Sequence, residues 1–245
     1  MNTLKGKDIT TGRSVFIQRL INIIPKGLRL RLNPRRYAIE TFVKKISRKV
    51  RPGSKVLDAG AGPCPYKYMF SHCNYEATDF SDPYGMIDFI SSLDDIPRKN
   101  NSYDSIFCTE VLEHVSNPEK VLKEFNRLLK KNGSLYLTTP QAWMVHQKPY
   151  NFFYFTNFGL EYLLKKAGFK RFIVKPMGGY FWFLADVIRF NHLVEELRRY
   201  PILYYPLKLI EFPITKVIIP LVLFYLDFLD RKRDWTMGYT VEAIK

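Results

Sequence analysis

Acidic residues are scarce in this 245-residue chain, 23 Asp and Glu against 38 Lys and Arg, for a formal charge of +15. With 47% hydrophobic residues, that balance excludes a disordered acidic tail and describes a folded core with basic attachments. Cysteine is nearly absent. Cys64, Cys73 and Cys108 are an odd set without C-x-x-C spacing, which excludes a disulfide scaffold and a zinc ribbon and predicts a reduced, cytoplasmic setting. The first residues lack the charged stub, apolar run and small-residue cleavage site of a secretory signal. Long hydrophobic runs are lacking too: Val217 to Leu226 is ten residues long, where a bilayer crossing takes about 20, so the reading rejects a transmembrane span. No internal repeat or low-complexity tract is visible, which excludes a solenoid.

What is present is unevenly placed. Residues 1–55 hold fifteen Lys/Arg and only Asp8 and Glu40 as acids, so nearly all the excess charge is N-terminal. Such a local field seeks a polyanion, either nucleic acid or an anionic leaflet. Within it, Ser14 to Ile24 puts Phe16, Ile17, Leu20, Ile21 and Ile24 on one helical stripe, a short basic amphipathic helix that either docks on the core or lies at a membrane interface.

Beyond a helix from Tyr37 to Val50, short apolar runs alternate with helical stretches. Strands are predicted at Lys55–Asp58, Tyr75–Asp79, Met86–Ile90, Tyr103–Thr109, Ser134–Thr139, Phe169–Lys175 and Gly238–Ala243, and helices at Asn117–Lys131 and Gly159–Ala167. Strand alternating with helix implies an α/β fold, a parallel sheet with helices on both faces. The chain divides into a basic arm (1–36), a core (37–176), an apolar and aromatic helical insertion (177–234) and a final core strand (235–245). The insertion reads as a buried cap over the site or as a half-inserted, lipid-facing platform.

The run Val56-Leu57-Asp58-Ala59-Gly60-Ala61-Gly62 sets two glycines directly after a buried strand, where only glycine lets the backbone turn tightly against a ligand. A second acid, Asp79, closes the next strand 21 residues after Asp58, placed to accept from ribose hydroxyls. The third glycine of G-x-G-x-x-G is missing, with Pro65 in its place, which argues against a pyrophosphate and hence against an NAD-dependent oxidoreductase. A cofactor with an amino-acid end suits this loop better: its ammonium meets the acid and its carboxylate the helix start.

With VLDAGAG, the acid ending YEATD, SYDSIFCTEVLEHV and NPEKVLKEFNRLLKKNGSLYLTTP, the chain resembles the class I S-adenosylmethionine-dependent methyltransferases, in particular those acting on small molecules, lipids and quinones. The resemblance implies a Rossmann-like seven-stranded sheet, mostly parallel, with an antiparallel last strand between the fifth and sixth. It implies S-adenosyl-L-methionine as cofactor, the methionine end held by Asp58, Gly60 and Gly62, the ribose by Asp79, and the adenine flanked by Ser92 and Leu93. Many relatives have an acid where Ser92 stands, so that contact falls here to Asp94 or to backbone. Glu110 and His114, four residues apart after the fourth strand, then line the cofactor pocket from one helical face while Glu113 caps a helix. This reading is metal-free. Its alternative, from relatives with E-x-x-E-H, is a divalent cation on Glu110, Glu113 and His114.

Thr139-Pro140-Gln141 lacks the D/N-P-P-Y of enzymes that methylate exocyclic nitrogens, so no base-specific nucleic-acid binding is expected. The following loop, His146 to Thr156, resembles H-x-x-P-x-D-x-x-R-x-T of a subgroup linked to surface polysaccharides, with Asn151 for its Asp and Tyr154 for its Arg. His146 is the predicted catalytic base, with Tyr150 second, because an imidazole titrates near neutrality. The function expected is O-methylation of a small-molecule, lipid-linked or glycan acceptor by a cytoplasmic enzyme peripheral to the inner face of the membrane. The alternative is a catalytically lapsed fold serving as an RNA- or membrane-binding module. Oligomeric state is not legible.

Overall fold

The structure is a computed structural model that describes residues 25–190 and 194–245, so the stripe Ser14 to Ile24 lies outside the described residues. Strands β1 (Lys55–Ala59), β2 (Asn74–Asp79), β3 (Phe89–Ile90), β4 (Tyr103–Thr109), β5 (Leu129–Pro140), β6 (Arg171–Pro176) and β7 (Gly238–Ile244) form one seven-stranded sheet in the order β3-β2-β1-β4-β5-β7-β6. Strand β7 runs antiparallel between β5 and β6, and the remaining neighbours are parallel. The expected architecture is therefore present, including the inserted last strand.

A sheet covered on both faces carries runs of apolar side chains rather than strict alternation, as in β1 and β4. After the short α1 (Lys26–Arg31), helix α2 (Pro34–Lys49) packs Val43 and Ile46 against Val56, Phe107 and Tyr136 on one face. Helices α3 (Pro118–Leu128) and α4 (Asn157–Lys166) pack Leu122, Phe125 and Leu160 against Leu57, Ile106 and Leu135 on the other. Each fully buried side chain of this size stabilises by about 1.5–3 kcal/mol.

Local chemistry corrects several predicted boundaries. Helix α2 starts not at Tyr37 but at Pro34, where the Asn33 side chain accepts from the backbone N–H of Arg36 at 3.2 Å, so Arg35 and Arg36 form its first turn. Helix α3 stops at Leu128, because Leu129 is already extended and paired with Tyr103. Asn132, at φ +62°, and Gly133 therefore lie within β5 next to a register shift and do not end a helix. The predicted strand Met86–Ile90 shortens to Phe89–Ile90.

The insertion begins with α5 (Tyr180–Arg189), whose amino end is satisfied from a distance. Buried Asp227 accepts from Gly179 N at 3.0 Å and Trp182 N at 3.1 Å, a carboxylate at a helix N-terminus. Stacking of Trp182 on Phe224, with 4.9 Å between centroids, and a bond from Trp182 Nε1 to the Phe224 carbonyl close the same joint. The run Val217 to Leu226 proves to be the end of a far longer helix. Helix α6 (Pro201–Pro213), a π turn (Ile214–Ile218), α7 (Ile219–Leu226) and a last 3₁₀ turn form one continuous 29-residue helix, Pro201–Leu229. Pro206 and Pro213 both sit inside the helix, and the turn after Pro213 widens to π geometry. By length and composition this helix could cross a membrane, so shortness, the ground on which a span was rejected, does not hold. No residue of α6 is buried, so that half is not a buried cap.

Candidate active site

The loop after β1 is anchored on β2, with the N–H groups of Gly60 and Ala61 both donating to the Thr78 carbonyl. Gly60 has φ +77°, and a Cβ there would lie 2.5 Å from Val111 Cγ2, so glycine alone fits. Gly62, at φ +49°, opens the other way: a Cβ there would meet no atom within 4 Å, which leaves a ligand free access to the backbone. Asp79 closes this bend. Its Oδ2 accepts from Gly62 N at 2.9 Å and its Oδ1 from Phe80 N at 2.7 Å. An ionised carboxylate offers about four acceptor positions, so two remain for ribose hydroxyls.

Asp58 sits deeper than expected. It is 2% exposed, its Oδ2 accepts from Tyr75 OH at 2.6 Å, and burial pushes its pKa up to about 7, with Tyr75 opposing and Asp79 adding to the rise. At the adenine position, the Ser92 hydroxyl donates to Asp94, whose carboxylate also pairs with Lys120 at 3.0 Å, while Leu93 is buried.

Beyond β4 the expected helical face does not form. Glu110 is in the left-handed region at φ +53°, and only a single 3₁₀ turn, Leu112 to His114, follows. Glu110 and His114 therefore part company. Glu110 Oε2 pairs with Arg35 at 3.3 Å, whereas His114 joins Glu113 and His146, their ligand atoms all within 4.8 Å of one another. Among the described residues, the group placed to hold a cation is thus Glu113, His114 and His146, without Glu110. Nor does Glu113 cap a helix: α3 is capped by Asn117, which accepts from Lys120 N at 3.0 Å, and the Glu113 side chain is buried.

Glu113 is pushed up to about 8 by burial and next by the charge on Glu110. His114 is held below its usual value by burial, so its 3.7 Å approach to Glu113 is between a neutral imidazole and a protonated acid rather than an ion pair. Nδ1–H of His114 donates to the Tyr150 carbonyl at 2.6 Å, which leaves the lone pair on its buried, unpartnered Nε2. His146 packs edge-on at 4.7 Å and its Nδ1 bonds the Met144 carbonyl at 3.0 Å, so its own lone pair is also on Nε2. Tyr150 contributes a carbonyl, and its phenol is exposed. Asn151 Oδ1 accepts from Tyr154 OH at 2.8 Å, a neutral hydrogen bond where the subgroup pattern has Asp and Arg.

A proton held only by the folded state makes stability fall with rising pH. Glu113 ionises at an ordinary 4.5 when unfolded and near 8 when folded, so its contribution is full below 4.5 and gone above about 8. In between, the loss is about 1.4 kcal/mol per pH unit. Thermal melts of Glu113→Gln should therefore gain on the wild type as pH rises from about 5 to about 8; parallel curves would show that Glu113 ionises normally.

Arg35 ties these parts together. Its Nε donates to Asp186 of α5 at 2.8 Å, Nη1 to Glu110 and Nη2 to the Ala142 carbonyl at 3.1 Å, and its guanidinium lies 4.3 Å over the Trp143 ring. Burial opposes its charge, but Asp186 and Glu110 more than offset this and hold it protonated. Beside it opens a cleft of about 640 Å³ lined by Arg29, Arg35, Arg36, Tyr66, Trp143 and Phe190. The sequence reading passed over Arg35, Trp143 and Asp186. The one available signal was Asn33-Pro34, a helix start that places Arg35 in the first turn.

A family profile described as a methyltransferase domain matches residues 32–172, more than half the chain. The chain belongs to this methyltransferase family. Among curated relatives, the sarcosine/dimethylglycine N-methyltransferase of Aphanothece halophytica is 29% identical over 119 residues, 40% of this chain and 43% of that protein. The chain spans less than half the length of the curated relatives it matches. Of solved structures, the phosphoethanolamine N-methyltransferase 2 of Haemonchus contortus with S-adenosylhomocysteine aligns at TM-score 0.50 and 15% identity, covering 84% of this chain and 52% of that one. The cyclase SpnF aligns at 0.51 and 17%, covering 83% and 79%. At these identities the two structures share the fold alone.

This methyltransferase is of class I and its cofactor is S-adenosylmethionine. The residues present fit that cofactor: an open glycine bend stands beside a carboxylate whose two oxygens hold the bend through the N–H groups of Gly62 and Phe80 and keep acceptor positions free. Val111, packed against Gly60, joins the donor loop directly to Glu113 and His114.

Proposed function

We propose that this methyltransferase methylates a hydroxyl of a small-molecule, lipid-linked or glycan acceptor at the cytoplasmic face of a membrane, with His146 taking the hydroxyl proton. When bound, S-adenosylmethionine supplies an electrophilic methyl on a sulfonium. Asp79 and the Gly60–Gly62 bend fix the donor's ribose and aminoacyl ends. The acceptor oxygen then needs to be aligned and relieved of one proton. The observation that carries the reading is the Glu113–His114–His146 group at the carboxyl ends of β4 and β5. A neutral amine needs no base before it attacks, whereas a hydroxyl does. His146 is partly exposed and so reachable, while burial holds His114 below its usual value and keeps it neutral beside it.

The cleft, with Trp143 and Phe190 as apolar walls and the Arg35–Asp186 and Arg36–Glu40 pairs as its polar lining, suits an acceptor that sets an apolar or ring body beside polar groups.

The test is transfer of an isotopically labelled methyl group from S-adenosylmethionine to membrane extracts of cells lacking the protein, followed by mass spectrometry. Label in an ether of a lipid or glycan fraction supports the reading; label confined to RNA or protein overturns it. His146→Ala should lower kcat by about 10²–10⁴-fold. Tyr150→Phe should leave kcat within a factor of about three, because its contribution is a backbone carbonyl.

A further inference from the structure

We infer that helix Pro201–Leu229 lies in the plane of an anionic bilayer, its outward face sunk among the acyl chains. The inference rests on the membrane-surface reading above and adds the element that makes the contact. Two bland explanations fail first. A core helix of this hydrophobicity would be mostly buried, yet only 6% of its most apolar stretch is, and it lies far from the N-terminus where a signal sequence belongs.

Its polarity is inverted relative to a soluble surface helix. Ile202 (89% exposed), Leu209 (78%) and Ile210 (61%) face outward. The charged residues Lys208, Glu211 and Lys216 are turned toward the protein, where Glu211 pairs with Lys208 at 3.1 Å and Lys216 at 3.8 Å, and Lys216 also donates to the Arg189 carbonyl. Pairing charges inward while exposing isoleucine and leucine outward is favourable when the outside is hydrocarbon.

Connectivity decides the orientation. The insertion leaves the sheet at β6 and returns at β7, adjacent strands, so both ends are on one side of any bilayer and a single crossing is excluded. A two-crossing hairpin would need an apolar outgoing arm, but the residues before Pro201 include Glu195, Glu196, Arg198 and Arg199. An in-plane helix remains. At 1.5 Å per residue it is about 44 Å long. Tyr200 and Tyr205 stand exposed near one end and Tyr225 and Trp235 near the other, with Arg198 and Arg199 before it and Arg231 and Lys232 after it, the residues that settle at head groups. The excess of positive charge, carried almost entirely by residues 1–55, complements an anionic leaflet.

The same insertion supplies Asp186 to Arg35 and Phe190 to the cleft wall, so lipid contact and the acceptor cleft are parts of one packed unit. An acceptor anchored in that leaflet reaches the cleft by moving laterally.

The experiment uses the full chain with vesicles of equal parts phosphatidylglycerol and phosphatidylcholine. Wild type should co-sediment and stay bound in high salt, because apolar insertion is not screened. Ile202→Glu/Leu209→Glu should reduce partitioning by at least about 100-fold while calorimetry shows unchanged S-adenosylmethionine affinity. A Leu209→Trp variant should be quenched by bromine on acyl chains more than by bromine at head groups. Release of the wild type in salt, equal binding by the double variant, or a soluble dimer that the double variant splits would each overturn the inference, the last by naming a second copy as the occupant. Failure here is separable from failure of the proposed function: methyl transfer to detergent-dispersed acceptor without vesicle binding sinks only the helix, and vesicle binding without transfer sinks only the reaction.

Discussion

Replacing Asp79 with alanine should weaken S-adenosylmethionine binding by about 100-fold or more, measured by calorimetric titration, while the protein stays folded. Two ribose hydroxyls donating to one ionised carboxylate are each worth about 1.5–3 kcal/mol, and 1.4 kcal/mol is tenfold in affinity. Asp79 also receives the N–H groups of Gly62 and Phe80, so its loss loosens the bend that holds the aminoacyl end. Asp79→Asn should fall between, since one acceptor oxygen survives. Unchanged affinity in Asp79→Ala would place the donor elsewhere and remove the basis for reading this bend as its site. A far-ultraviolet spectrum and melting temperature close to wild type separate a lost contact from a lost fold.

That prediction concerns the part of the site that is local in sequence. Strand, glycine bend and second acid are separated by short, regular spacings, and the buried strands carry the apolar runs that a two-sided sheet demands, so donor loop and sheet order were both legible. What was not legible depended on distance or on a conformation with no pattern. Glu110 was expected to share a helical face with His114, but φ +53° turns it to Arg35, 75 residues away. His146 entered the Glu113–His114 group through the fold of the loop after β5, a tertiary fact. The long helix was hidden because Glu211, Lys216 and Asp227 interrupt its apolar run, and nothing in the periodicity shows which face of an almost wholly apolar helix stays uncovered.

Fold likeness does not decide the chemistry, because a cyclase aligns as well as a methyltransferase does. Where the insertion meets the donor half, one side chain joins Asp186, Glu110 and the Ala142 carbonyl.

Arg35→Ala should therefore destabilise the protein by about 3–5 kcal/mol, a fall in melting temperature of about 10 °C for a chain of this size. Removing the guanidinium leaves Asp186, 1% exposed, and Glu110, whose Oε1 is already buried without a partner, as uncompensated carboxyls. Trp143 loses its stacked cation and the Ala142 carbonyl its donor. Arg35→Lys keeps the charge but not the fork that reaches Asp186, Glu110 and Ala142 together, and should recover only part of the loss. The decisive comparison is Arg35→Met/Asp186→Leu. Replacing a buried ion pair by apolar side chains of similar volume often restores stability, so this variant should recover the part of the loss that comes from Asp186, while Glu110 stays without its partner. It should nevertheless remain poor in kcat, because Glu110 no longer has the group that holds it beside the donor loop. If both variants melted within about 2 °C of wild type, Arg35 would be a surface contact and the coupling between insertion and site would be lost. Recovery of melting temperature and kcat together in the double variant would assign Arg35 to packing alone.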